Sequence, residues 1–330
     1  MPNQKIIIEL LKHQFKTMIV VTHDGRFHAD EVAAISIIQT INMKNENFEL
    51  NIVRTRDISI INKADIVIDV GKIYDPLKLR FDHHQDSCME TFPNCDIPLS
   101  SAGLVYRHFG KKLIKSYKAD ITNEDLEIIY VTFYHAFIKE IDAVDNGVSH
   151  KFDVQNRYRP TSTLSCLVSR LVPNIDDAEL YQNAFNRACK LARNMIDIIL
   201  SDCIEKHILT KSDYEIVKKA FNNPLNKEWD RFNRILYIPN ECKTWENCVK
   251  TYEREYNVEQ VIYVIYENGG SFRIRAIQDK EFTCRKKLLP YDQYENEIKK
   301  DLEFIHKNLF IGSSKSFDCL LSVAKTSLMA

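Results

Sequence analysis

Three stretches in the first quarter of the chain combine carboxylates with imidazoles. They are His23 to Glu31, the apolar run that contains Asp69, and the triplet Asp82-His83-His84. Such ligands without a thiolate favour Mn²⁺, with Mg²⁺ and Co²⁺ as weaker candidates, over a structural zinc site. Because more than four candidate ligands are present, we expect two metal ions that share a bridging carboxylate. Metal pairs of this kind activate a water molecule for phosphoester hydrolysis.

Short apolar strands are predicted before each of these stretches. Met18 to Thr22 and Ala64 to Val70 are β-branched runs typical of buried parallel strands, and Phe48 to Arg54 and Leu79 to Asp82 complete a set of four. Val32 to Ile41 predicts the helix of a βαβ unit. Since ligands bind beyond the carboxyl ends of parallel strands, the acids and histidines are expected to meet at one edge of the sheet.

The small residues Ser100-Ser101-Ala102-Gly103 predict the start of a helix that extends to about Leu113. Free backbone N–H groups at a helix start carry partial positive charge, so Ser100 and Ser101 are candidate phosphate-binding residues. A plain serine cap accounts for the same residues and is the simpler interpretation.

A later helix, from Thr122 onward, ends in a further pair of acids. Asp142 and Asp145 lie three residues apart and therefore share a helix face, and Asn146-Gly147 stops the helix. Ser165 to Val172 predicts another short helix. Residues 176–222 are amphipathic and predict two helices that connect the first domain to a second.

The second domain is predicted to be a small sheet covered by helices. Its strands are expected at Arg234–Ile238, Gln260–Tyr266 and Ser271–Ile277, and its helices at Glu246–Tyr256, Tyr291–Lys307 and Phe317–Met329. Arg273 and Arg275 lie on one face of the third strand by the period of two. Basic residues outnumber acids from there to Lys287, which indicates a local phosphate-binding surface, although a solvated strand face gives the same pattern.

The composition is that of a globular chain long enough for two domains of ordinary size. It has 330 residues, of which 45% are hydrophobic and 28% charged, and a net charge of −1. That charge excludes a polybasic nucleic-acid binder, so any attraction for a polyanion must be local or must come from bound metal. Nine cysteines without a CxxC pair indicate reduced thiols in an intracellular protein. No stretch reaches membrane-spanning length.

Together the motifs resemble the DHH phosphoesterase superfamily and, within it, the MYG (melanocyte proliferating gene one) family. The resemblance covers nearly the whole chain and is carried by Thr22-His23-Asp24-Gly25-Arg26-Phe27-His28-Ala29-Asp30-Glu31, Asp69-Val70-Gly71, Tyr74-Asp75-Pro76, Arg80-Phe81-Asp82-His83-His84-Gln85, Ser100-Ser101-Ala102-Gly103-Leu104-Val105-Tyr106 and Ile141-Asp142-Ala143-Val144-Asp145-Asn146-Gly147. It implies a metal-dependent nuclease that degrades RNA from the 3′ end. It also implies a parallel-sheet catalytic domain joined to a smaller substrate-binding domain.

The resemblance also implies a role for individual residues. The expected metal ligands are His23, His28, Asp30, Asp69, His83 and Asp145, with Asp69 as the bridge and Asp142 as the competitor of Asp145. The expected catalytic pair is His84, which faces substrate, with Asp82. The expected substrate-binding residues are Ser100, Ser101, Arg273 and Arg275 from the patterns above, and His306 and Gly312 from the resemblance. Phe310-Ile311-Gly312-Ser313 matches its counterpart only loosely. The other histidines, His108, His135, His150 and His207, are attributed to helix surfaces or the core.

The predicted fold class is α/β, with a parallel-sheet DHH-type catalytic domain, a helical connector and a smaller α+β C-terminal domain. The predicted boundaries are an N-terminal extension at residues 1–17, the catalytic domain at 18–172, the connector at 173–224 and the substrate-binding domain at 225–330. The extension contains Glu9 and no arginine, which makes it a poor transit peptide and favours the cytoplasm or nucleus over mitochondria.

The predicted activity is phosphodiester hydrolysis by a two-metal-activated water, as a 3′-to-5′ exonuclease on RNA or short oligonucleotides. The predicted cofactors are two divalent metal ions, with Mn²⁺ preferred. A small-molecule phosphatase acting on pyrophosphate or a cyclic dinucleotide is the alternative, and a non-catalytic metal-binding protein is disfavoured by the complete ligand set. No membrane partner is expected, and the sequence leaves open whether the protein is a homodimer.

Overall fold

The computed structural model describes residues 17–45, 49–85, 88–148, 160–238, 242–280 and 283–330. Nearly all of the predicted N-terminal extension lies outside these ranges, as does His150. The chain forms two compact units, Met1–Ile204 and Glu205–Ala330. Among the residues that the structure describes, no helix is long and apolar enough to cross a membrane.

The first unit contains a mixed five-stranded sheet in the order β2-β1-β3-β5-β4. Its strands are β1 (Thr17–Thr22), β2 (Glu49–Arg54), β3 (Ile66–Ile68), β4 (Tyr74–Asp75) and β5 (Arg80–Phe81). β1 pairs in parallel with β2 and β3, and β3 with β5, so the four predicted parallel strands are confirmed. The fifth strand, β4, runs antiparallel to β5 at the edge and is too short for its sequence to predict.

The helices of the first unit pack on this sheet and on one another. They are α1 (Ala29–Asn45), α2 (Ile58–Ile61), α3 (Ser101–Tyr117), α4 (Asn123–Phe133), α5 (Lys139–Asp145), α6 (Leu164–Leu171) and the first part of α7 (Ala178–Phe221), with a π-helical segment at Tyr134–Ile138 between α4 and α5. α1 packs against α3. Val32, Ile35 and Ile37 are all buried in the main core, which explains why α1 is apolar on nearly all faces.

The connector is one continuous helix, α7, so the prediction of two helices is wrong. No glycine or proline occurs between Ala178 and Phe221 to interrupt it. Its residues change partners along its length. Ala188, Ala192 and Ile196 are buried in the core of the first unit, whereas Val217 and Phe221 are buried in a core of the second.

The second unit contains another five-stranded sheet, in the order β11-β12-β8-β7-β6. Its elements are α8 (Pro224–Trp229), β6 (Ile235–Ile238), α9 (Trp245–Tyr256), β7 (Tyr263–Asn268), β8 (Ser271–Ala276), α10 (Asn296–Asp301), β11 (Leu302–Ile305), β12 (Ile311–Ser314) and α11 (Phe317–Met329), with a separate pair β9 (Gln278–Lys280) and β10 (Thr283–Cys284). Among the described strands of this unit, only β6 and β7 pair in parallel. α9 and α11 contribute to separate cores of this unit.

The prediction of one helix from Tyr291 to Lys307 is wrong. The helix α10 ends at Asp301, and the next four residues form β11, which pairs with β12. Gly312 makes this pairing close, because a Cβ there would lie 2.6 Å from Ile305 Cδ1 and 2.9 Å from the Phe304 carbonyl oxygen. The polar residues around Leu302 interrupt the apolar pattern that would indicate a strand.

A buried ion pair joins α9 to the segment after β10. The two terminal guanidinium nitrogens of Arg285 donate to the two carboxylate oxygens of Glu253, at 2.7 and 2.8 Å, and both side chains are almost fully buried. Arg285 also donates to the carbonyl oxygen of Val261, and the backbone N–H of Val261 donates to Glu253. Each buried charge therefore has its partner, which is the condition for such a pair to be tolerated.

Replacing Arg285 by methionine is expected to destabilise the second unit by about 3–5 kcal/mol, since the Glu253 carboxylate stays buried without its partner. The chain's two tryptophans, Trp229 and Trp245, both lie in this unit, so urea unfolding can be followed by tryptophan fluorescence. Arg273→Met makes the same change at an exposed position and is expected to alter stability by less than about 0.5 kcal/mol. Equal unfolding midpoints for the two variants would show that the ion pair is dispensable.

Candidate metal centre

The three acid- and histidine-rich stretches follow the carboxyl ends of three neighbouring strands. β1 ends at Thr22, just before His23; β3 ends one residue before Asp69; and β5 ends one residue before Asp82. Parallel pairing of β1, β3 and β5 brings these ends to one edge, as predicted.

Glu31 organises the first of these loops, and the sequence analysis did not assign it a role. Both of its carboxylate oxygens accept a hydrogen bond from the backbone N–H of His28, at 2.9 and 3.0 Å, which caps the start of α1. Its Oε1 lies 3.0 Å from His23 Nε2. The signal available in the sequence was its place three residues after His28, the residue just before the helix.

Asp69 is held in a backbone conformation that most residues avoid. Its φ is +58°, in the left-handed region, which aspartate tolerates better than most side chains. Its Oδ1 accepts a hydrogen bond from Ser101 Oγ at 2.8 Å, and its Oδ2 lies 3.3 Å from His23 Nε2. Burial would raise the pKa of Asp69, but the contacts with His23 and Ser101 hold it below its usual value.

Three buried acids crowd together at the sheet edge. Asp30, Glu31 and Asp69 each offer an oxygen within 4.8 Å of the others, and none is more than 4% exposed. Neither oxygen of Asp30 has a hydrogen-bond partner among the described residues. Burial and the charge of Asp69 and Glu31 raise the pKa of Asp30 well above its usual value. Such a cluster is costly without a cation to compensate its charge.

His83 directs its buried Nε2 at the same place. This nitrogen lies 3.1 Å from Asp145 Oδ2, 3.6 Å from Asp69 Oδ1 and 3.9 Å from Asp30 Oδ2, with hydrogen-bond geometry to none of them. Ligands at about 2.1 Å around an octahedral ion lie about 3 Å apart. Burial would lower the pKa of His83, but Asp145 raises it above its usual value. The donor types and their convergence fit a divalent metal ion.

His84 is oriented by Asp82, and its Nδ1 also lies 3.5 Å from Asp69 Oδ1, so Asp69, His83 and His84 form a further group that could hold a metal ion. Its Nδ1 lies 2.8 Å from Asp82 Oδ1, which also accepts the His84 backbone N–H at 3.0 Å. The other oxygen of Asp82 accepts the Lys72 N–H at 2.7 Å. Asp82 is buried, whereas the His84 side chain is 55% exposed. The Asp82 contact occupies Nδ1 and leaves Nε2 as the nitrogen available to a substrate.

Asp142 is occupied by the start of α3. Its Oδ1 accepts hydrogen bonds from Ser100 N, Ser100 Oγ and Gly103 N at 2.7–3.1 Å, and its Oδ2 accepts one from Tyr134 Oη at 3.1 Å. A Cβ on Gly103 would lie 2.5 Å from this carboxylate, which explains the small residue. Burial raises the pKa of Asp142 to about 7. Because the oxygens of Asp142 already accept these hydrogen bonds, Asp145 is better placed than Asp142 to bind a metal ion.

The hydroxyls of Ser100 and Ser101 are directed at carboxylates, Ser100 at Asp142 and Ser101 at Asp69, and both residues are fully buried. The structure therefore gives them a supporting role and lends no support to direct contact with substrate. It also differs from the plain serine cap, because Ser100 makes no side-chain capping bond to α3.

The remaining predicted substrate-binding residues lie in the second unit. Arg273 is exposed on β8, and Arg275 on the same face lies 3.6 Å from Glu246 and over the Trp245 ring. His306 Nδ1 accepts the Asn308 N–H at 3.1 Å. Gly312 is buried in strand pairing, as described above.

A cleft of about 720 Å³ opens beside the candidate metal-ligand group, which we define as His23, His28, Asp30, Glu31, Asp69, His83 and Asp145. It is lined by His23, Asp24, Gly25, Arg26, His28, Arg56, Ile58, Ile61, Asp69, Val70, Gly71, Lys72, Asp82 and His84. Arg56 bonds Asp24 and also lies 3.3 Å from His23 Nδ1, with an exposed guanidinium. Arg54, the other arginine of this strand region, donates to the Gly25 carbonyl oxygen and braces the loop. The cleft thus combines cations with the exposed His84.

The family model MYG1_exonuc, described as an uncharacterised protein family (UPF0160), matches residues 19–328. A MYG1 protein of Dictyostelium discoideum is 30% identical over 94% of this chain and 96% of its own length. A MYG1 exonuclease of Bos taurus is 30% identical over 93% of this chain and 84% of its own.

Among solved structures, an exopolyphosphatase-related protein from Bacteroides fragilis covers 99% of this chain and 96% of its own, at 13% identity. Its TM-score of 0.26 is too low to support an inference about fold or activity. The sequence matches are much stronger evidence than this structural likeness, because the family model and relatives at 30% identity extend along nearly the whole chain. This chain belongs to the MYG1 family.

Proposed function

We propose that this protein is a metal-dependent phosphodiester hydrolase that releases nucleotides from the 3′ end of RNA or short oligonucleotides. The observation that carries the proposal is the convergence of buried Asp30, Glu31 and Asp69 with His83 Nε2 at the carboxyl edge of a parallel sheet. Several relatives along the whole chain are named MYG1 exonuclease, which supports a nucleic acid as substrate.

Asp69 is suited to bridge two metal ions because its oxygens face different ligands. Its Oδ1 lies towards His83, and its Oδ2 lies towards His23. We assign Asp30, His83 and Asp145 to one ion, and His23 with Glu31 to the other, with His28 close to both groups. Carboxylate and imidazole ligands favour Mn²⁺, with Mg²⁺ and Co²⁺ as alternatives. Bound divalent ions supply a water of lowered pKa and neutralise phosphate oxygens.

The chain's own residues orient the substrate. His84, fixed by Asp82, can donate a hydrogen bond from Nε2 to a phosphate oxygen or to the leaving oxygen. Arg56 and Lys72 line the same cleft and favour an anionic ligand there.

One observation favours a second candidate, a phosphatase acting on pyrophosphate or a cyclic dinucleotide. The basic strand region of the second unit is partly neutralised within that unit, since Arg275 faces Glu246 and Arg285 is buried against Glu253. It therefore offers a chain of phosphates fewer available cations than its sequence predicted. Arg273 is the exposed arginine left on this face of β8.

A side-by-side assay tests the proposal. Metal-free protein is expected to be inactive, and added Mn²⁺ is expected to restore release of mononucleotides from the 3′ end of RNA, better than Ca²⁺ does. RNA labelled at either end, single-stranded DNA, cyclic dinucleotides and pyrophosphate serve as competing substrates. Full activity after exhaustive chelation would reject the metal mechanism, and turnover of pyrophosphate or cyclic dinucleotides alone would select the phosphatase.

Asp69→Asn is expected to lower turnover by orders of magnitude without unfolding the protein. Asparagine tolerates the same left-handed backbone, but its neutral amide cannot balance two cations. Turnover and bound metal are measured together, with Asp96→Asn, an exposed aspartate, as the control. Wild-type turnover in metal-loaded Asp69→Asn protein would limit this residue to a structural role.

The neighbouring histidines are expected to differ when each is replaced by alanine. His83→Ala removes a donor that faces three carboxylates and should lose bound metal as well as activity. His84→Ala should keep near-normal metal content and lose ~10²–10⁴-fold in rate, since its imidazole is placed to contact substrate. Elemental analysis beside steady-state rates makes the comparison. The same metal loss in both variants would mean that the pair acts only as ligands.

A further inference from the structure

A second cavity, of about 330 Å³, reaches the metal-ligand group through different residues. We call it the α5–α6 cavity; it is lined by Arg26, Phe27, His28, Ala29, Asp30, Ile141, Val144, Asp145, Ser165, Val168, Ser169 and Val172. It shares only Arg26 and His28 with the larger cleft. Its lining includes Asp30 and Asp145, two of the carboxylates that lie near His83 Nε2. A molecule in this cavity therefore contacts the same centre as a molecule in the cleft.

The walls of the α5–α6 cavity are largely aliphatic. Ile141 and Val144 come from α5, Val168 lies on α6, and Val172 follows α6 directly. Its volume is in the range of pockets that enclose small organic ligands. Among the described lining residues, Arg26 is the one lysine or arginine, against two carboxylates, so the lining does not favour a chain of phosphates. These walls suit a flat, neutral group with apolar faces.

Besides the two oxygens of Asp30, the hydroxyl of Ser165 lacks a partner in this cavity. Ser165 Oγ is buried from solvent and makes no hydrogen bond within the described ranges. Ser169, one turn further along α6, donates its hydroxyl to the Cys166 carbonyl oxygen and keeps acceptor capacity. A buried hydroxyl is stabilised by a bound partner, so the ligand that fits has a polar edge as well as apolar faces. A nucleobase has both.

The larger cleft has the opposite character. Arg56 and Lys72 lie there with the exposed His84, and these groups favour phosphate. The metal-ligand group contributes to both spaces. The contrast gives an orientation: phosphates on the side of Arg56, and a neutral group on the side of α5 and α6.

We propose that the α5–α6 cavity binds the base of the terminal nucleoside, between aliphatic side chains and with Ser165 Oγ on the polar edge of the base. The inference rests on the proposed function and deepens it, because it places base recognition within the first unit. The scissile phosphate then lies at the metal-ligand group, and the rest of the oligonucleotide leaves through the cleft.

Binding measured without turnover tests this assignment. Metal-loaded wild-type protein is titrated by calorimetry with a nucleoside 5′-monophosphate and, separately, with ribose 5-phosphate, which lacks the base. We expect the nucleotide to bind roughly tenfold more tightly or better, since it adds apolar burial and a hydrogen bond. Equal affinities would overturn the proposal.

Two variants locate the effect. Ser169→Trp fills the cavity from an exposed helix position, and Ser165→Ala removes only the hydroxyl. Ser169→Trp is expected to abolish the preference for the nucleotide while leaving ribose 5-phosphate affinity unchanged, and Ser165→Ala is expected to reduce the preference severalfold. Ser201→Trp, a similar change at an exposed serine of α7, should alter neither affinity. A nucleotide preference that survives Ser169→Trp would place the base elsewhere and overturn the proposal.

Failure of the proposed function gives a different result. Base-dependent binding that Ser169→Trp abolishes, without release of nucleotides from RNA by the wild-type protein, would support the base site and reject the exonuclease. Release of nucleotides with no base-dependent binding would keep the exonuclease and reject the base site.

Discussion

The carboxylate of Asp69 is the group on which the arrangement of the site depends. It lies between the loop after β1, through His23, and the loop after β5, through His83, while Ser101 at the start of α3 donates to it. Its backbone adopts a left-handed conformation so that the side chain can turn into this space. Strain of that kind persists only where the surroundings determine it, and it is frequent at functional sites. The buried acids around Asp69 destabilise the site electrostatically unless a cation is bound, so folding and ligand binding are coupled there.

A second carboxylate, Asp142, fixes the supports of the first. Its four hydrogen bonds join Ser100 and Gly103 at the start of α3 to Tyr134 at the start of the π-helical segment. Ser101 lies in this same first turn of α3, and Asp145 lies with Asp142 in the short helix α5. Asp142 therefore sets the distance between a residue that holds Asp69 and a residue that faces His83. The π-helical segment before α5 is a departure from regular helix geometry that often occurs near functional sites.

Much of this arrangement could be predicted from the sequence, and the part that could not has a common physical cause. The parallel strands and the meeting of their carboxyl ends follow from short β-branched runs, and acids and histidines just beyond them predict a metal site. The sequence does not show which partner a side chain finds. Glu31 therefore received no role, Asp142 stayed a competitor of Asp145, and Ser100 and Ser101 stayed candidates for binding phosphate beside the simpler interpretation of a serine cap. The local preference of the polar segment at β11 predicts a helix. The segment is a strand because pairing with β12 outweighs that preference. α7 was divided in two although no residue within it breaks a helix.

The distribution of charge bears on where a substrate can be recognised. A run of arginines on a strand suggests a phosphate-binding surface, but an arginine with a carboxylate partner is largely lost to that purpose. Arg285 is buried against Glu253 and Arg275 faces Glu246, so two of the arginines in this region form ion pairs within the second unit. Arg56 also has a partner, Asp24, but both side chains are more than half exposed. An exposed pair of this kind is weak and can exchange its partner for a phosphate at little cost. The first unit thus holds both the candidate metal ligands and an arginine whose ion pair a phosphate can displace.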